Sequence, residues 1–87
     1  MIRYWFEFKI DSVFEYPFGI GLGCGVTAYN YDDAIRLMDE KIFHSSKRPL
    51  LEKVFENVDI RNLDNDHVIP NMKSPVQYGV WYPLGFD

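Results

Sequence analysis

Apolar and polar residues alternate without a break from residue 2 to residue 10. Ile2, Tyr4, Phe6, Phe8 and Ile10 share one face, and Arg3, Trp5, Glu7 and Lys9 share the other. A period of two is that of a pleated strand, so this stretch reads as a half-buried β-strand. A connection over residues 11–18 follows, with Tyr16-Pro17-Phe18-Gly19 as its turn signal. Gly19, Gly21, Gly23 and Gly25 then stand at every second position. The same period predicts a second strand over residues 20–28. Ile20, Leu22, Cys24, Val26 and Ala28 would line one face, and Gly21, Gly23, Gly25 and Thr27 the other. The two strands predict an antiparallel hairpin. A bare glycine face packs nothing and costs backbone entropy, so a bulky group is expected to cover it.

The period then changes. Asn30 is a capping residue, Asp32 and Asp33 suit the positive end of a helix dipole, and Ala34, Leu37 and Met38 recur at three- and four-residue steps. This predicts one helix, ending near Phe43-His44 before Ser45-Ser46-Lys47-Arg48-Pro49. Leu50 to Phe55 is ambiguous between a short helix and the lead-in to a strand. Asn57-Val58-Asp59-Ile60 reads as a strand, and residues 62–71 are rich in turn formers. A last strand is predicted over residues 76–82. Val76, Tyr78, Val80 and Tyr82 would lie on one face, and Gln77, Gly79 and Trp81 on the other.

The order β-β-α-β-β predicts an α+β fold: a two-layer sandwich in which one main helix covers a four-stranded, mostly antiparallel sheet. Its core is expected to pack Phe6, Leu22, Val26, Ala34 and Met38 together. At 87 residues the chain reads as one domain, residues 1–87. Such a chain buries a modest share of its surface, and its 17% aromatic content offsets this by filling a core with few residues.

The formal net charge is −4, and the one basic cluster is Lys47-Arg48. Phosphate contacts need clustered cations, so nucleic acid is not an expected partner. No apolar run approaches membrane-spanning length, and Arg3, Glu7 and Lys9 interrupt the first strand, so neither a membrane nor a signal peptide is expected. Cys24 is the sole cysteine, which excludes an internal disulfide and suits a reducing cytoplasm.

Three segments carry a resemblance: Leu22-Gly23-Cys24-Gly25-Val26-Thr27-Ala28-Tyr29, His67-Val68-Ile69-Pro70-Asn71-Met72 and Gly79-Val80-Trp81-Tyr82-Pro83. Together with the aromatic first strand, the chain resembles a family of small uncharacterised bacterial proteins. The resemblance implies a bacterial, cytoplasmic, stand-alone domain, and brings no activity or cofactor.

Two groups of residues are candidate sites. If the helix covers the Cys24 face, the opposite face carries Trp5, Gly21, Gly23, Gly25 and Trp81. With one helix on four strands this face would stand open, as an aromatic platform for a protein partner or a second copy of the chain. The alternative is internal packing of indoles over glycine. The second group is Asp64, Asp66 and His67. Asp-x-Asp can open a calcium loop, and a histidine beside carboxylates can bind a metal or act as a general base. No glycine or distal glutamate follows at calcium-loop spacing, which favours an Asx-rich turn and no metal. Cys24 falls on the apolar face and reads as core, and His44 sits at a helix end. The sequence thus points to a non-enzymatic protein-interaction or binding module without cofactor. It would act through the aromatic and glycine face or an open sheet edge, with homodimerisation one form of that. A small enzyme or ligand-binding protein with its site around Asp64, Asp66 and His67 is the alternative.

Overall fold

The computed structural model describes residues 1–10, 19–44 and 47–86. The connection expected over residues 11–18 lies outside the described residues. Four strands, β1 (Ile2–Lys9), β2 (Cys24–Ala28), β3 (Leu50–Glu56) and β4 (Gly79–Tyr82), and one helix, α1 (Tyr31–Lys41), appear in the order β1-β2-α1-β3-β4. The sheet order is β3-β1-β2-β4, and every neighbouring pair is antiparallel. The α+β architecture with one helix on a four-stranded sheet is therefore the observed one, and the sheet is antiparallel throughout.

Register follows the apolar pattern. Phe6 faces Cys24, Tyr4 faces Val26 and Ile2 faces Ala28. These side chains meet Ala34, Leu37, Met38, Ile42 and Phe43 from the helix side. The helix starts where the sequence places it: Asn30 Oδ1 accepts the Asp33 N–H at 2.9 Å, and Asp33 reaches back to the Tyr29 N–H at 3.2 Å. The first bond satisfies a backbone donor that helix geometry leaves without a partner, and the second ties the residue before the cap to the same turn.

Four expectations need correction. The second strand begins at Cys24, not residue 20. Residues 19–23 instead make two successive turns, with Leu22 N–H donating to Gly19 O at 3.1 Å and Gly23 N–H to Ile20 O at 3.0 Å. Gly23 has φ +135°, a conformation that L side chains rarely adopt. The turn swings Leu22 outward, so it is 42% exposed and absent from the core, while Phe6, Val26, Ala34 and Met38 are buried there together.

The third strand is Leu50–Glu56, and Ile60–Asn62 is a single 3₁₀ turn instead of the end of a strand. A bulge hides this strand's period. Glu7 pairs with Lys53 but Phe8 pairs with Leu51, so Glu52 is the extra residue. Without the bulge, a carboxylate would stand opposite Phe8; with it, Leu51 packs against the core.

The fourth strand is shorter than predicted and also bulged. Gly25 pairs with Tyr82 and Val26 with Val80, so Trp81 and Tyr82 together oppose one residue. Both join the same cluster, against the alternation read from the sequence.

The face opposite the helix is closed, not open. The crossover from β3 to β4 runs beneath it and seats Leu63 and Val68 against Trp5, Trp81 and Tyr82, with Val58, Ile60, Ile69 and Met72 packed around them. A buried indole removes roughly 150–250 Å² from water. At ~25 cal/mol/Å² that is on the order of 4–6 kcal/mol gross for each ring. This holds an irregular segment on a sheet without a strand ladder.

Candidate functional site

Trp5 is 3% exposed and Trp81 1% exposed. Their rings stack at 5.8 Å between centroids with planes 26° apart, and Tyr82 lies 5.6 Å from Trp5. A Cβ on Gly23 would fall 2.7 Å from Phe6 O and from Trp5 Cε2, and one on Gly25 would fall 2.5 Å from Trp81 Cε3. The indoles thus lie directly on the glycine backbone. Their polar ends are satisfied: Trp5 Nε1 donates to Glu7 Oε2 at 3.1 Å, and Trp81 Nε1 donates to Thr27 Oγ1 at 3.2 Å. Thr27 donates in turn to Pro75 O. The fold brings together Trp5, Gly23, Gly25 and Trp81, and leaves Gly21 in the exposed turn with nothing within 4 Å of an added Cβ.

An open cleft lies beside this cluster. It has a volume of about 630 Å³, and its apolar wall is Leu22, Tyr82, Pro83, Leu84 and Phe86. Three pieces build it. The turn at residues 19–22 presents Leu22. The end of β4 presents Tyr82, whose hydroxyl donates to Gly19 O at 3.3 Å and ties the turn to the strand. The tail beyond Pro83 brings Leu84 and Phe86 alongside. His67 and Asn71 form the polar rim.

The rim is set by the Asp64 turn. Asp64 Oδ1 accepts the backbone N–H of Asp66 at 2.8 Å and of His67 at 3.0 Å. These two bonds, the Asp66 N–H first, hold the Asp64 carboxyl below the usual carboxylate range. Its oxygens stand 3.3 Å from His67 Nδ1. An ionised carboxylate only accepts, so Nδ1 donates, and in the neutral ring Nε2 is then left as an acceptor. Asn71 Nδ2 donates to His67 O at 2.8 Å, which fixes the amide on the same rim. Asp64 and His67 are therefore brought together, whereas Asp66 contributes its backbone N–H and keeps its side chain exposed. The segment is the Asx turn that its composition suggests, and it also borders the cleft. Among the described residues, no three His, Cys, Asp or Glu side chains converge as metal ligands.

Cys24 is fully buried under the helix, away from the cleft, and burial pushes its thiol pKa up. His44 lies exposed past the helix, with φ 49°. Sequence reasoning missed Leu22, Tyr82, Pro83, Leu84 and Phe86 as site residues. The one available signal is the apolar tail Pro83-Leu84-Gly85-Phe86, which continues past the last strand.

No helix among the described residues is long and apolar enough to cross a membrane. No protein-family model, curated protein or solved structure matches the chain.

Proposed function

We propose that the protein is a non-enzymatic binding module whose site is the Leu22–Phe86 cleft, taking a small ligand with an apolar body. The observation that carries this reading is the cleft itself. Its volume of about 630 Å³ falls within the range of small-molecule sites, and apolar walls with a few polar groups on one side are their usual make-up. The indole face, by contrast, is filled by the chain's own crossover. Amide chemical-shift mapping with indole as the probe tests the reading. Shifts confined to residues 19–22, 67–71 and 82–86, and lost in Leu22→Ser, support it. Shifts scattered over the surface, or none at millimolar probe, refute it.

A second reading rests on the edge strand β3. Leu50 is 70% exposed, and Val54 and Phe55 are also exposed large hydrophobics. An exposed edge of this kind can accept a partner's strand. Charge works against the central registers of pairing with a second copy. A two-fold pairing centred on Glu52 or Lys53 opposes each to itself, and one centred on Val54 opposes Glu52 to Glu56, with like charges facing in all three. Light scattering over a concentration series tests self-association directly. A monomer throughout fits this reading; a β3-dependent dimer lost in Phe55→Glu contradicts it.

A further inference from the structure

The ligand's chemistry can be read from the rim, given that the cleft is the binding site as proposed above. We infer that the cleft takes an amphipathic amine: an apolar, preferably planar body with a protonated amine at the His67 end. Leu22, Pro83, Leu84 and Phe86 supply an apolar wall wide enough for a ring system. The side-chain groups at the other end are mainly acceptors. Asp64 orients His67 so that Nε2 of the neutral ring accepts. Asn71 commits an N–H to His67 O, and its Oδ1 still accepts. The Tyr82 hydroxyl proton is spent on Gly19 O. No lysine or arginine lies among the described lining residues. The Asp64 carboxylate stands 3.3 Å from the His67 ring on the rim, and Asp66, next to His67 in the chain, adds a second exposed carboxylate. An anionic head group would find no fixed cation among the described lining residues and would lie near the carboxylate bound to His67. An ammonium finds acceptors and opposite charge.

Three probes with one ring system separate the contributions: tryptamine (cationic), indole (neutral) and indole-3-acetate (anionic). Titrations would be followed by amide shifts at about 0.15 M salt, so that long-range charge is screened, and at about pH 8, above the range where imidazoles ordinarily carry a proton. Tryptamine should bind about tenfold more tightly than indole-3-acetate, the scale of exposed charge pairs acting with opposite sign on the two probes. Asp64→Asn keeps a side-chain oxygen for the two backbone N–H groups, so the turn should survive. In the double variant Asp64→Asn/Asp66→Asn the preference for tryptamine over indole-3-acetate should vanish. Equal or tighter binding of indole-3-acetate at the same residues overturns the inference and leaves the cleft as a binding site. A preference that survives the double variant also overturns it. Absence of cleft shifts with all three probes removes the binding-site reading itself, and this inference with it.

Discussion

The indole of Trp81 occupies the space that a side chain on Gly25 would need. A Cβ built on Gly25 falls 2.5 Å from Trp81 Cε3, and contacts under 3.0 Å are essentially unknown for real Cβ atoms. Trp81 cannot retreat, because Leu63 and Val68 pack with it in one buried cluster and its Nε1 is bound to Thr27. Gly25→Ala should therefore destabilise the fold by about 1–3 kcal/mol, as overpacking of a tight interior does. Gly21 is the control: its Cβ meets nothing within 4 Å and its φ lies outside the left-handed region. Gly21→Ala should stabilise by about 0.4–1 kcal/mol through the unfolded chain. Urea melts of the two variants give the comparison, and equal effects would mean that the Trp81 contact is misplaced.

Thr27 is a buried hydroxyl serving two partners, accepting from Trp81 Nε1 at 3.2 Å and donating to Pro75 O. Thr27→Val keeps the shape and strands a buried indole N–H and a carbonyl. The cost of leaving such groups unpaired is about 1–3 kcal/mol. Thr27→Ser keeps the hydroxyl and should cost clearly less. Thermal melts that rank the two variants the other way would mean that the methyl, and not the hydroxyl, holds the crossover in place.

The parts of the fold legible in the sequence are those whose period is set within one element. β1 and α1 each present a complete apolar face, and Asn30 marks the helix start by its own side chain. The parts that were not legible break their period for a long-range reason. Gly19, Gly21 and Gly23 keep the spacing of a strand, yet Gly19 and Gly23 take positive φ, so that spacing serves turns as well as strands. β3 hides its alternation behind the Glu52 bulge, and Trp81 changes sides through the bulge opposite Gly25. In the candidate site, Asp64 and His67 are legible as an Asx turn because the turn is local. Leu22, Tyr82 and Phe86 meet only once the sheet has folded, and no local pattern encodes that meeting.

Leu22 separates the two readings of the glycine segment. As a core residue its truncation would cost about 2–5 kcal/mol. The structure places it at 42% exposure on the cleft wall. Leu22→Ala should therefore cost less than about 1 kcal/mol, whereas Met38→Ala, on a fully buried side chain, should cost about 2–5 kcal/mol. Chemical denaturation of both variants measures the contrast. A Leu22→Ala loss close to that of Met38→Ala would restore residue 22 to the core.

Acid should destabilise this protein through three aspartates. The Arg36 side chain first of all holds Asp33 below the ordinary carboxyl value, Arg61 lowers Asp59 to about 2, and the Asp66 N–H leads the lowering of Asp64. Each carboxyl binds its proton less readily in the folded chain than in the unfolded one, whose ordinary value is 3.8. The unfolded state therefore takes up more protons, and stability rises with pH across that interval. The contribution is complete above the unfolded value and is lost as pH falls through the folded ones. The denaturation midpoint should stay level from neutral pH to about 5 on this account and then fall towards about 2. Asp59→Asn should flatten the lowest part of that decline. Raising the salt concentration should weaken the Asp33–Arg36 and Asp59–Arg61 contributions, since both arginines reach into solvent, and leave that of Asp64, which comes chiefly from backbone N–H groups. A midpoint that holds constant or rises between about pH 4 and pH 2 would show that these carboxylates are not bound in solution as they are here.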